Sequence, residues 1–258
     1  MLTTVAVLAD IHGVVPALRA VLARPEVADA DAVVLLGDLA AGPQPVETLD
    51  LLTGLGDRAI WVSGNGDREL VEIAAGKDIE IPDPITPWAA GQLRPEHLEL
   101  LAGLPLTATC SVRGLGEVLC AHATPRDDQE VALVDSDSAR WQEVLAGVPA
   151  SVGTVVCGHT HMPFLRLVDR CTVVNPGSVG MPYGSTGAHW ALLGGSTEPA
   201  ISLRRTHYDP VAAAEEIIAG STFPDIEEWV EFFVRRPASD LEALAAFGPR
   251  EGRPPRTG

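Results

Sequence analysis

The sequence predicts an α/β fold built on two sheets. Residues 5–75 repeat three times a unit of short apolar run, polar tip and helical pattern; after residue 106 the pattern changes to apolar runs joined by short turns; and in both halves the runs end in polar, metal-binding residue types. Alternating runs and helices call for parallel strands with right-handed crossovers, and sheets of that kind bind ligands beyond the carboxyl ends of their strands.

Residues 5–9, Val-Ala-Val-Leu-Ala, read as a strand covered on both faces and end at Asp10-Ile11-His12-Gly13. Val14, Leu18, Val21 and Leu22 recur at helical spacing, and Arg24-Pro25 stops the pattern. Residues 32–36 end at Gly37-Asp38, and the loop Ala40-Ala41-Gly42-Pro43 leads to a helix carrying Val46, Leu49 and Leu52. Residues 59–62 end at Ser63-Gly64-Asn65-Gly66-Asp67 and enter a helix running to residue 75. Residues 77–94, rich in proline and acid with Trp88 inside, read as a cap or rim, and a helix over 95–102 closes at Gly103.

In the second half the strands are 106–112, 117–121, 154–157, 164–168 and 171–174, with a tight hairpin at Asp169-Arg170. An acidic loop and a helix carrying Trp141 and Leu145 interrupt them at 125–147. Residues 189–193 and 201–205 look like a closing hairpin of a second, mixed or antiparallel sheet. Helical patterns follow at 210–219, 224–234 and 239–246, and residues 249–258 read as a disordered tail. The expected organisation is a main domain over 1–208 and a helical extension over 209–248 packed on it. Left unpacked, Ile217, Ile218, Trp229, Phe232 and Phe233 would form a large apolar patch, so the extension packs beside the site or at a subunit contact in a homo-oligomer.

With 258 residues, 46% of them hydrophobic, the chain can bury one large core. A formal charge of -17 argues against a nucleic-acid polymer or an anionic membrane as main partner, and bound divalent cations would offset part of it. No apolar stretch approaches the ~18 residues of a membrane span, and no basic signal region precedes the first strand, so a cytoplasmic location is expected. Cys110, Cys120, Cys157 and Cys171 all lie in apolar runs and read as buried free thiols.

Asp10, His12, Asp38, Asn65, His122, His159 and His161 all fall at ends of predicted strands. In an extended chain His159 and His161 share one face and point at one place. Each residue alone has an ordinary reading as cap, turn or core residue, but seven at one edge are too many for capping. Imidazole and carboxylate donors without thiolate suit divalent Mn, Fe, Zn, Co or Ni, and seven donors exceed one tetrahedral site. Two ions sharing a ligand use them all. Ions about 3.5–4 Å apart clamp the attacking and leaving oxygens of an in-line displacement, most often at phosphorus.

In order along the chain, Asp10-Ile11-His12-Gly13, Gly37-Asp38, Gly64-Asn65-Gly66-Asp67, Ala121-His122-Ala123-Thr124-Pro125 and Gly158-His159-Thr160-His161 resemble the five-part signature of the calcineurin-like metallophosphoesterases. The resemblance spans about residues 5–180, and Asn175-Pro176-Gly177-Ser178 is similar to a loop of the small prokaryotic branch. It implies a sandwich of two mixed sheets flanked by helices, with Asp10, His12 and His161 on one metal, Asn65, His122 and His159 on a second, and Asp38 bridging. It also implies hydrolysis of a small-molecule phosphodiester or phosphomonoester by in-line attack of a metal-bridging hydroxide, with Asp38, Asn65 and Asp67 as the catalytic candidates.

The chain departs from the pattern at two places. Leu39-Ala40-Ala41-Gly42-Pro43 stands where protein phosphatases of the superfamily carry Asp-Arg-Gly, which argues against phosphoprotein substrates. Gly66 stands where many members have a histidine able to act as general acid; Asp67 beside it is either a replacement acid or a helix cap. Arg126, Arg68 and the backbone amides of Gly177 and Ser178 are candidate phosphate contacts, each equally a solvated loop residue, and Trp88 either stacks on a base or packs on its own helix. A metal-binding interaction module with little or no catalysis is the alternative function. A metal-dependent amidohydrolase barrel fits poorly, since such barrels usually open with His-x-His after the first strand and this chain opens with Asp10-x-His12.

Overall fold

In the computed structural model, which describes residues 1–81, 83–195, 200–236 and 238–253, the first apolar run forms β1 (Thr4–Leu8) and is buried on both faces. α1 (Val15–Leu22) ends where expected, and Pro25 opens a separate single turn, α2 (Pro25–Ala28), because proline fits the first position of a helix better than its interior. β2 (Ala32–Leu36), α3 (Pro45–Thr53), β3 (Ala59–Val62) and α4 (Asn65–Ala74) continue the alternation. The three strands are parallel, with Val5 beside Ala32 and Val33 beside Ala59. The rim segment contains a helix, α5 (Ile85–Gln92), at whose start the Asp83 carboxylate accepts the Thr86 N–H at 2.9 Å. α6 (Pro95–Ala102) closes at Gly103, which keeps a right-handed conformation.

The second half gives β4 (Thr107–Val112), β5 (Gly116–Ala121), α7 (Ser138–Val144), β6 (Val152–Val156), β7 (Phe164–Val168) and β8 (Cys171–Asn175). These strands form one sheet in the order β4-β5-β6-β8-β7, with parallel pairs β5/β6 and β6/β8 between antiparallel edges. The closing hairpin, β9 (Ala188–Gly194) and β10 (Ala200–Thr206), belongs to the other sheet, contrary to expectation. β9 pairs antiparallel with β1, giving the order β10-β9-β1-β2-β3. A run's periodicity reports that it is buried, not which strand it lies beside. Both sheets are therefore mixed.

Alternation along the strands separates two cores. Val5, Val7, Val34 and Leu36 meet Val112, Val118, Cys120, Val156 and Val174 between the sheets. Ala6, Leu8, Val33 and Leu35 face α1, α3 and the C-terminal helices. All four cysteines are free and buried.

The C-terminal segment folds as α8 (Pro210–Gly220), α9 (Ile226–Val230) running into a π-helical turn over Glu231–Arg235, and α10 (Asp240–Phe247). Ala213, Ile217, Phe223, Trp229 and Val230 join the helix-side core, while Ala243, Leu244 and Phe247 pack on Val131, Leu133 and Met162. The tail expected from residue 249 does not hold for its first part. Gly248–Glu251 forms a 3-10 turn, and Arg253 is bound by Asp135 at 2.7 Å and Ser136 at 2.9 Å. These polar anchors hold a segment with little apolar content, which a reading from hydropathy passes over. The remainder of that expectation, residues 254–258, lies outside the described residues. Among the described residues no helix is long and apolar enough to cross a membrane.

Candidate metal centre

The tips of β1, β2, β5 and β6 bring six of the seven expected ligands into two clusters, Asp10 with His12 and His161, and Asp38 with His122 and His159. In the first, His12 Nε2 lies 3.3 Å from His161 Nε2, which lies 3.4 Å from Asp10 Oδ1. In the second, His122 Nε2 lies 3.2 Å from His159 Nδ1 and 3.3 Å from Asp38 Oδ2. Asp38 Oδ2 is also 3.6 Å from His12 Nε2, so one carboxylate oxygen touches both clusters. Two ring nitrogens this close cannot both carry protons. Donors each about 2.1 Å from a shared ion stand roughly 3–3.5 Å apart, which is the spacing seen.

The outward nitrogens of three rings are fixed by backbone carbonyls: His12 Nδ1 by Ala41 at 3.1 Å, His122 Nδ1 by Leu36 at 2.8 Å and His161 Nδ1 by Met181 at 2.8 Å. With a cation in place each ring would donate outward and present a bare Nε2 to the centre, as ligating imidazoles do. His159 is turned the other way, with Nδ1 inward and Nε2 3.0 Å from the Arg250 guanidinium.

His159 and His161 do not converge as alternate residues of a strand. β6 ends at Val156, and both histidines have left-handed backbones, with φ of 64° and 57°, so each serves a different cluster. Asp10, His12 and Asp38 are left-handed as well, at 53°, 47° and 51°. Among the described residues five of the six non-glycine residues in this region are thus candidate ligands, each costing about 1–3 kcal/mol that folding alone would not retain. Asn175 braces the second turn, donating to Gly158 O at 2.8 Å and Thr160 Oγ1 at 3.1 Å, and Asp10 accepts the His159 N–H at 3.1 Å.

Charge is concentrated here. Burial opposes protonation of His122, but the Asp38 and Asp10 carboxylates outweigh it and lift the ring to about 10. Burial works to raise Asp38, yet His122, His12 and His159 hold it below the usual carboxylate range. Burial and the neighbouring His122 push His159 down. Competing protons and carboxylates packed together are the donor set that a divalent cation satisfies.

The seventh expected ligand, Asn65, opens α4 beside these clusters. Its buried Oδ1 has no hydrogen-bond partner, while its Nδ2 donates to Glu69 Oε1 at 3.3 Å. A buried carbonyl oxygen without a donor is the second fit to a cation. Asn65, His12 and Asp38 form the floor of a cavity of about 420 Å³.

The sequence model of the calcineurin-like phosphoesterase superfamily domain matches residues 3–198. The chain belongs to this superfamily. It is 24% identical to an uncharacterized protein of Methanocaldococcus jannaschii over 88% of this chain and 95% of that one. It is 32% identical to a symmetrical bis(5'-nucleosyl)-tetraphosphatase of Nitrosococcus oceani, over 46% of this chain and 42% of that enzyme's length, less than half of it. The fold is similar to the crystal structure of a hypothetical protein of Pyrococcus horikoshii, with a TM-score of 0.74 and 20% identity over 88% of this chain and 97% of that one.

Other expected site residues of this superfamily member lie elsewhere. Asp67 is fully buried and does not line the cavity; it accepts the N–H groups of Asp38, Leu39 and Gly64, each at 2.9 Å, and so ties the turn carrying Asp38 to the start of α4. Arg126 stands outside the cavity, committed to Glu130 and Glu143 at 2.5 and 2.9 Å, and Arg68 is committed to Asp128 at 2.7 Å and Glu72 at 3.0 Å. The Gly177 N–H is taken by Asn175 Oδ1 at 2.9 Å, and the buried Ser178 hydroxyl donates to Asp10 O at 2.7 Å. Trp88 packs edge-on against Phe223 at 5.6 Å and does not line the cavity.

The rest of the cavity wall was not legible in the motifs. Glu69 lies one turn after Asn65 on the same face of α4, a spacing that could have flagged it. Phe223, Trp229, Phe232 and Phe233 arrive from the C-terminal segment, together with Asp225 and Glu228. Among the described residues no Lys or Arg lines this cavity.

Proposed function

We propose that this protein is a binuclear metal-dependent hydrolase of small-molecule phosphate esters. Asp10, His12 and His161 hold one divalent ion, Asn65, His122 and His159 hold the other, and Asp38 serves both. Mn, Fe, Zn, Co and Ni all suit the donor set. The observation that carries the reading is the Asp38 carboxylate oxygen lying 3.3 Å from His122 and 3.6 Å from His12, at the floor of a cavity large enough for an organic substrate. Divalent ions so placed lower the pKa of water and neutralise charge building on phosphoryl oxygens. The chain's own residues do the positioning. Asp67 fixes the Asp38 loop, backbone carbonyls fix three imidazoles, and the left-handed turns aim five ligands inward.

The organic group of the ester sits against Phe223, Trp229, Phe232 and Phe233, walls suited to a nucleobase or another flat apolar group. A nucleotide-like substrate also agrees with the similarity to a bis(5'-nucleosyl)-tetraphosphatase. Asp83, Asp225 and Glu228 at the same wall, where among the described residues no Lys or Arg stands, favour an ester with a single phosphate over a bare polyphosphate chain. On this reading residues 1–208 form the catalytic body and 209–248 complete the substrate wall.

The test is hydrolysis of bis(p-nitrophenyl) phosphate by protein loaded in turn with Mn, Fe, Zn, Co and Ni. Turnover abolished by Asp38→Asn is expected; no turnover with any of the five ions overturns the proposal and favours a non-catalytic metal-binding module.

A further inference from the structure

We propose that Arg250, carried in by the C-terminal segment, binds the phosphoryl group of the substrate beside His159. This rests on the phosphoesterase reading above and adds to it a residue outside the superfamily-matched region, residues 3–198. The Arg250 guanidinium lies 3.0 Å from His159 Nε2 and over the Phe247 ring at 5.1 Å, and Phe247 in turn meets His159 edge-on at 5.7 Å. The aromatic ring holds the guanidinium plane at the mouth of the second ligand cluster.

A guanidinium is a donor only. A histidine that ligates through Nδ1, the nitrogen His159 turns inward, carries its proton on Nε2. Two N–H groups only 3.0 Å apart cannot point at each other, so with His159 ligating through Nδ1 both are left to donate to a shared acceptor beside them, which an anionic oxygen provides. The surroundings single out Arg250 for that role. In a chain with 35 acidic and 18 basic residues, Arg68, Arg126, Arg140 and Arg253 are each committed to carboxylates. Among the described residues Arg250 makes no ion pair, although it lies in the field of Asp38 and Glu69. Arg250 is exposed as a residue while its guanidinium is partly buried at His159, and its planar fork matches two phosphoryl oxygens. Among the described residues no Lys or Arg, Arg250 included, lines the cavity wall itself, so the anion is held beside His159 and not on that wall.

The experiment titrates inorganic phosphate into the manganese-loaded full-length chain by calorimetry, with metal content and bis(p-nitrophenyl) phosphate turnover measured on the same samples. Arg250→Ala should weaken phosphate binding about ten- to a hundredfold at unchanged metal content, with Arg250→Lys between the two and Arg170→Ala, at the far hairpin, like wild type. Unchanged phosphate affinity in Arg250→Ala overturns the proposal. So does loss of bound metal in that variant, which would make Arg250 a brace for His159. Should Arg250→Ala fail to fold, Arg250→Gln takes its place with the same two readings. A wild-type chain that turns over no ester, yet loses phosphate affinity on Arg250→Ala, sinks the proposed activity and leaves the anion site standing.

Discussion

Asp67 holds Asp38 in place: its buried carboxylate accepts the Asp38 N–H at 2.9 Å, and the N–H groups of Leu39 and Gly64 at the same distance. One side chain thereby joins the tip of β2 to the start of α4, the two segments that supply Asp38 and Asn65. Gly64 lets them meet, since a Cβ there would lie 2.3 Å from the Asp38 N. Asp67→Ala strands three buried N–H groups at about 1–3 kcal/mol each, so a loss of at least roughly 3 kcal/mol is expected, with depletion of the second metal. Denaturant unfolding and metal analysis check it, and wild-type stability with two bound ions would refute the role.

The proposed division of ligands predicts distinct metal deficits. His122→Ala and His159→Ala should each empty or weaken the second position, Asp10→Ala the first, and Asp38→Ala both. Elemental analysis of the purified variants decides it. Two full equivalents in the Asp38 variant would end the shared-ligand assignment.

Gly66 has no side chain and Asp67 does not line the cavity, so on the proposed function neither protonates a leaving alkoxide. A positioned acid contributes on the order of 10² to 10⁴ in rate, so aryl and nucleotide esters should turn over well ahead of simple alkyl phosphates. A leaving-group series should show a steep dependence on leaving-group pKa that Asp67→Asn does not alter. Gly66→His should lower activity instead of restoring an acid, since a Cβ at 66 already lies 3.0 Å from Asp38 Oδ1. Faster alkyl ester turnover in that variant would contradict this account.

His189, away from the ligand clusters, sets a pH dependence of stability. Burial and the nearby Arg205 push its imidazole down from 6.5 to about 4, and its Nε2 meets Ser185 Oγ at 3.0 Å. Below about pH 6.5 the unfolded chain takes up a proton that the folded chain refuses until about pH 4. The contribution is therefore present above the unfolded pKa and lost as pH falls through that window, up to about 3 kcal/mol. His189→Gln should flatten the difference between unfolding at pH 7 and at pH 4.5; an unchanged slope would mean that the ring is protonated in the folded state.

The sequence by itself determined which residues are candidate ligands and which strands carry them. Asp10, Asp38, Asn65, His122, His159 and His161 follow apolar runs whose composition specifies strands, and a polar residue at the end of such a run is legible from local chemistry alone. Tertiary structure decided the rest. Hydropathy cannot assign β9 to β1, because burial on both faces looks the same beside any neighbour. Alternation suggested that His159 and His161 share one target, whereas left-handed turns send them to two. Arg126 and Arg68 looked free in sequence because their carboxylate partners include residues from other segments, such as Glu143 and Asp128. Arg250 carries no local signal, since it reaches His159 across 91 residues of chain through a fold-dependent contact. Ligand identity is written in short-range composition, but which side chains share a cavity depends on contacts between segments far apart in sequence, and those exist only once the two sheets and the C-terminal helices have packed.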